Sequence, residues 1–184
     1  GMCGTGLIDL LAEMLKFGIV DASGKIKSAS ECEGKWYQDR IVENDNGTGF
    51  IVVPVADSAG DEAIIITQKD IRELQLAKAA MAAGIRILLN ELQITKDQIE
   101  EVLIAGAFGN YINKYNAKIM GLIPDNIPGD RINFVGNAAS SGAKKYLLSE
   151  NARQEAREII NFVQYIELSK RQDFQNEFTE AMFF

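Results

Sequence analysis

Two short segments constrain this chain more than any others. Val102-Leu103-Ile104-Ala105 breaks into Gly106-Ala107-Phe108-Gly109-Asn110-Tyr111, and Ile132-Asn133-Phe134-Val135 breaks into Gly136-Asn137-Ala138-Ala139-Ser140-Ser141-Gly142-Ala143. Each is an aliphatic, β-branched run ending at a glycine, with a helix-compatible stretch behind it. Strands that feed helices through small corners are the unit of an α/β domain. Two such corners in succession place bare backbone at the carboxyl ends of neighbouring strands, where α/β proteins hold ligands.

The remainder of the chain fills in around these corners. Apolar residues at 7, 8, 11, 14 and 15 follow the helical period over 7–16, with Gly18 as the stop. Residues 21–36 are polar and read as loop. Strands are expected at 40–43, 50–55 and 63–67, the first two joined by the turn Asn44-Asp45-Asn46-Gly47, with Pro54 at a strand end or edge. The longest helix spans 68–92, with Thr67 as N-cap, Asp70 in the first turn, and a stripe of Leu74, Ala77, Met81, Ile85, Leu88 and Leu92 turned inward. Its slim middle, Ala79-Ala80 to Ala82-Ala83-Gly84, suits close packing. A helical turn at Thr95, a strand over 101–105, a helix over 114–120, a strand over 131–135 and helices over 138–148 and 150–162 follow. A strand over 163–168 and a helix over 171–182, with Phe174, Phe178 and Met182 inward, complete the order. The hairpin supplies antiparallel strands and the crossovers parallel ones. The expected fold class is therefore α/β, with a mixed sheet flanked by helices in the ribonuclease H-like manner.

Composition narrows the function. With 47% hydrophobic and 24% charged residues over 184, the chain can bury a core. Its net charge of −7 leaves no basic stripe for nucleic acid. No apolar run approaches the ~20 residues that span a bilayer, so neither nucleic acid nor membrane is an expected partner. The two cysteines, Cys3 and Cys32, lie far apart and read as free thiols of a cytoplasmic protein. There are no histidines, which removes the commonest general base and the His-containing zinc sites. No metal ligand set is assigned.

Several short motifs carry two readings each. Gly106–Asn110 lacks G-x-G-x-x-G, and the chain lacks Gly-Lys-Ser/Thr. The segment is either a tight turn or a place where backbone meets a flat ligand. Gly4-Thr5-Gly6 opens a helix, so Thr5 either caps it or touches a phosphate. Asn137 caps the helix behind it or contacts a ligand. Gln68-Lys69-Asp70 is a solvated first turn or brings a carboxylate to a cleft. Asp45-Asn46-Gly47-Thr48 formally matches Asp-x-Gly-Thr, although turn chemistry alone explains it.

Four motifs in order, Gly4–Asp9, Ile66–Ala80, Ala105–Tyr111 and Val135–Ala139, resemble the reductive activators of corrinoid proteins, which are ferredoxin-fused ATPases of the actin and sugar-kinase superfamily. The resemblance runs over nearly the whole chain. It implies a ribonuclease H-like subdomain forming one side of an ATP–Mg cleft. Gly106, Ala107, Phe108, Gly109 and Asn110 would line the adenosine pocket, with Gly136 and Asn137 nearby. Gly4, Thr5 and Gly6 would approach phosphate or metal, and Asp70 would orient water or Mg. It also implies a two-iron cluster elsewhere in the longer protein, and a corrinoid iron–sulfur or corrinoid methyltransferase protein as partner. The parent reaction is reduction of cob(II)alamin to cob(I)alamin. Neither the cluster cysteines nor the first ATPase half is present in the 184 residues. The chain is thus expected to be the C-terminal part of such an activator, inactive as an ATPase by itself. Two alternatives stay open: a non-catalytic module that dimerises or binds the corrinoid protein, and a small-molecule kinase subdomain of the same superfamily.

Overall fold

The structure is a computed structural model and describes residues 2–44, 47–106, 109 and 111–184. Helix α1 (Gly4–Lys16) opens the fold. An antiparallel meander follows, with β1 (Ile41–Asn44), β2 (Gly47–Val53) and β3 (Ile64–Thr67) in that spatial order. Pro54 ends β2 because proline has no ladder N–H to give. Helix α2 (Gln68–Glu91) leads to β4 (Val102–Ala105), α3 (Lys114–Ile119) and β5 (Ile132–Gly136). Helices α4 (Ala138–Leu148), α5 (Glu150–Ile160) and α6 (Gln172–Glu180) close the chain. No helix of the described residues is long and apolar enough to cross a membrane.

Strands β4 and β5 pair in parallel, with Val102 opposite Ile132 and Ala105 opposite Gly136. The expected mixed sheet is present as two pieces, the antiparallel β1–β3 sheet and this parallel pair, with no ladder joining them among the described residues. Both pieces feed one core. Ile41, Phe50, Ile66 and Ile132 share it with Leu11 and Met14 of α1, Ile71 of α2, and Met120 and Ile127. Helix α1 lies on α3, and a polar chain ties them: Asn116 donates to Asp9 at 2.8 Å and accepts from Lys16 at 3.0 Å.

Several expectations need correction. Helix α1 begins at Gly4, three residues before the apolar periodicity starts. Its first turn is solvated, so no hydrophobic signal marks it. The stripe on α2 is rotated. Met81, Leu88 and Leu92 are each more than half exposed, and the buried face is Ile71, Gln75, Lys78, Ala79, Ala83 and Ile87. The alanines let α6 approach closely, and Phe174 and Phe178 of α6 are half-buried as a tilted pair with centroids 6.0 Å apart. The strand expected over 163–168 does not form. Val163 and Tyr165 are exposed without a partner strand, and a short 3-10 turn, Leu168–Lys170, takes its end. A strand without a neighbour leaves its backbone groups unpaired, and β-propensity alone does not offset that. The loop over 21–36 is more structural than its polarity suggests, because Ile26 and Cys32 are fully buried.

Candidate functional site

The two glycine corners meet. Ala105 lies opposite Gly136, and the Gly106 amide donates to the Gly136 carbonyl at 2.7 Å. Both glycines hold left-handed backbone, φ +92 at Gly106 and +65 at Gly136, and a Cβ at either would meet no atom of the described residues within 4 Å. Open space above two left-handed glycines means that conformation, rather than protein packing, demands glycine here. The result is a ledge of bare backbone at the carboxyl ends of two adjacent parallel strands, the position where such folds take ligands.

Behind the ledge stands α4. Asn137 is its N-cap, and its side-chain oxygen accepts from the Ser140 amide at 3.0 Å. Of the two readings open for Asn137, capping is the one with a hydrogen bond. The cap leaves the helix start, with its partial positive charge, beside the ledge.

Gly109 is small for a different reason. Its Cβ would lie 2.6 Å from Ile104 Cγ2 and 3.2 Å from the Ile104 carbonyl oxygen. It closes the turn onto the end of β4, and it is buried. Ala107, Phe108 and Asn110 lie outside the described residues, as do Asp45 and Asn46 of the β1–β2 turn.

Gly4, Thr5 and Gly6 form the first turn of α1 instead of a loop ahead of it. The N-cap is Cys3, with no side-chain cap bond. The Thr5 hydroxyl sits 3.4 Å from the Cys3 sulfur. That hydroxyl, with the Gly6 amide, holds the Cys3 thiol below its ordinary pKa, so this helix start favours negative charge. Among the described residues, no hydrogen bond ties Gly4–Gly6 to the Gly106–Gly136 ledge.

Asp70 is engaged locally. Its Oδ2 accepts from the Thr67 amide at 2.8 Å and from the Thr67 hydroxyl at 2.6 Å, and Thr67 Oγ1 accepts from the Asp70 amide at 3.3 Å. This is a capping box with both halves made. The register Gly49 opposite Thr67 puts it beside the β1–β2 hairpin. The two thiols are not neighbours in kind, Cys3 being exposed and Cys32 buried. Among the described residues, no three of His, Cys, Asp or Glu converge as a metal cluster would need. The ledge and the α4 start offer open backbone and a helix terminus, which a flat or an anionic group can meet. What sequence reasoning missed is a buried polar pair on α2, Gln75 and Lys78. Their only signal is the i, i+3 spacing on the alanine face.

Antiparallel hairpin, crossover helix, parallel pair and a glycine ledge at the strand ends define an α/β domain of the actin and sugar-kinase type, ribonuclease H-like in fold. Residues 1–184 match the family model described as the C-terminal domain of RACo, the ASKHA domain, and the chain belongs to that family. The "Corrinoid activation enzyme RamQ" of Eubacterium limosum is 36% identical over 170 residues, covering 92% of this chain and 28% of that protein. A solved structure described as a reductive activator for corrinoid, iron–sulfur protein superposes with a TM-score of 0.86 at 40% identity. It covers 100% of this chain and 28% of its own. The chain thus spans a little over a quarter of the length of the relatives it matches.

Proposed function

We propose that this domain supplies the nucleoside side of the ATP site in a reductive activator that returns a corrinoid protein from cob(II)alamin to cob(I)alamin. The Gly106–Gly136 ledge carries the reading: two hydrogen-bonded left-handed glycines, open above, with a capped helix start behind. A base and ribose lie against the bare backbone at Gly106 and Gly136, and the start of α4 faces the anionic part of the ligand. Gly4–Gly6 serve the phosphates or metal only if the opposite wall of the cleft brings the phosphates to α1. Asp70 acts, in this reading, through the position of the Thr67 corner rather than as a free base. Magnesium is shared with the opposite wall of the cleft, and the two-iron cluster belongs to another part of the activator. Two free thiols and the resemblance to corrinoid activators support a cytoplasmic setting with a corrinoid protein as partner.

The test is ATP titration of the full-length protein carrying Gly106→Ala or Gly136→Ala. Each methyl points into open space and strains the backbone by about 1–2 kcal/mol, so the fold persists while the ledge is blocked. A loss of ATP affinity of about tenfold or more is expected, and unchanged affinity in both variants sinks the proposal.

A further inference from the structure

A cavity of about 280 Å³ lies between α2, the end of α3 and the C-terminal segment. None of Gly4–Gly6, Gly106, Gly109, Gly136 or Asn137 lines it. Four of its wall residues carry cationic side chains, Lys78, Arg86, Lys96 and Lys118, against the acidic side chains of Asp125 and Glu180 and the terminal carboxylate of Phe184. That excess stands out on a chain whose net charge is −7.

Arg86 is neutralised by Glu177 at 2.7 Å, with Glu180 at 3.8 Å. Lys78, Lys96 and Lys118 pair with no carboxylate among the described residues. Lys118 donates to the Ile127 carbonyl at 2.8 Å. Lys78 is 5% exposed, donates to the Phe183 carbonyl, and sits 5.2 Å from the centroid of the Phe184 ring. An ammonium has three protons to give, and one carbonyl and one ring do not replace a counter-charge. A buried cation without an anion is costly. Burial and the nearby Arg86 accordingly push its pKa down. The remaining wall, with Ile119, Ile123 and Phe184, is apolar.

The geometry points to a second ligand site in this cavity, for a small organic dianion: a phosphate monoester or dicarboxylate head among Lys78, Lys96 and Lys118, with a short apolar body against Phe184. The volume sits at the small end of ligand pockets. Gly121, with φ +72, helps form the wall: a side chain there would begin 3.4 Å from Lys78 Nζ. The anion completes the charge balance that the protein leaves open.

The experiment is an amide NMR titration of the intact 184-residue chain with phenyl phosphate and, separately, adipate, using benzyl alcohol as the uncharged control. Saturable shifts centred on Lys78, Gly121 and Phe184 are expected from at least one anion, and which one answers distinguishes phosphate from carboxylate. Lys78→Met should weaken binding about tenfold or more, as loss of a charged hydrogen bond does. Should that variant fail to fold, the exposed Lys96→Glu keeps the test open, with about threefold or greater weakening expected. The proposal is overturned if neither anion saturates by about 10 mM. It is equally overturned if benzyl alcohol gives the same shifts, or if Lys96→Glu binds as tightly as the unmodified chain.

Discussion

Gly109→Ala separates packing from ligand binding at the corner. The added Cβ would stand 2.6 Å from Ile104 Cγ2, roughly 1 Å inside the contact optimum. Overpacking of this kind costs about 1–3 kcal/mol. Alanine also narrows the unfolded ensemble, which returns about 0.4–1 kcal/mol. The net expectation is a destabilisation of between about 0 and 2.6 kcal/mol. For a domain of this size that is a fall in Tm of up to roughly 10 °C. Ile104 is half-buried, and rotation of its side chain would bring the cost to the lower end. Ile104→Ala removes the offending Cγ2 and leaves only the 3.2 Å approach to the carbonyl oxygen of residue 104, so alanine at 109 costs much less in that background. The double-mutant cycle, read by urea or thermal unfolding, should give a favourable coupling of about 1–2 kcal/mol. If Gly109→Ala costs the same in the unmodified chain and in the Ile104→Ala background, so that the effects add within about 0.5 kcal/mol, the contact is not the reason for glycine.

Two further outcomes follow from contacts away from the corner. Gln75 donates to the Ser23 carbonyl at 3.0 Å and the Met182 carbonyl at 2.7 Å and accepts from Arg72 at 2.7 Å, so Gln75→Leu removes all three bonds and leaves the Met182 carbonyl without its donor, while Arg72 still reaches the Ser23 carbonyl. Denaturation should show a loss of about 2–4 kcal/mol, and a change under about 0.5 kcal/mol would refute the role. Glu31 accepts from the Ser28 amide and hydroxyl and from Lys25, which hold its pKa at about 2 against 4.5. A depressed carboxylate stabilises fully above 4.5 and progressively less as pH falls towards 2. Urea midpoints should therefore fall more steeply with acid in the unmodified chain than in Glu31→Gln, and parallel acid limbs would refute it.

The parts of the fold legible in the sequence are those where a local rule and the tertiary packing agree. Strands β4 and β5 and helix α4 lie within one residue of where the sequence places them, because aliphatic runs, glycine corners and an asparagine cap act together. The cap at Thr67 and Asp70 is legible for the same reason. The rotation of α2 is not. Periodicity marks a leucine stripe and an alanine face with nearly equal force, and only the approach of α6 selects the alanines. The strand expected over 163–168 fails because nothing in its own residues records whether a neighbouring strand exists. At the site, the sequence names Gly106, Gly109 and Gly136 together but does not tell why each is glycine.

That distinction bears on function. Gly106 and Gly136 are glycine because of their backbone angles, with open space where a side chain would be. Gly109 is glycine because Ile104 fills that space. A substitution at Gly109 that abolished nucleotide binding would therefore report on the turn as much as on the ligand. Substitution at Gly106 or Gly136 intrudes on the ledge itself. The corner thus divides into a supporting glycine and two presenting glycines. Under the proposed function, the open face of that ledge and the helix start of α4 are where an opposite wall would close the cleft. Helices α4 and α5 point the same way: they bury no residue and expose Leu147, Leu148, Ile159 and Ile160. A chain spanning 28% of its relatives' length has, in those proteins, ample polypeptide to cover such surfaces. Under the proposed function, the nucleotide site and the exposed helices are both surfaces that further polypeptide of an activator would cover.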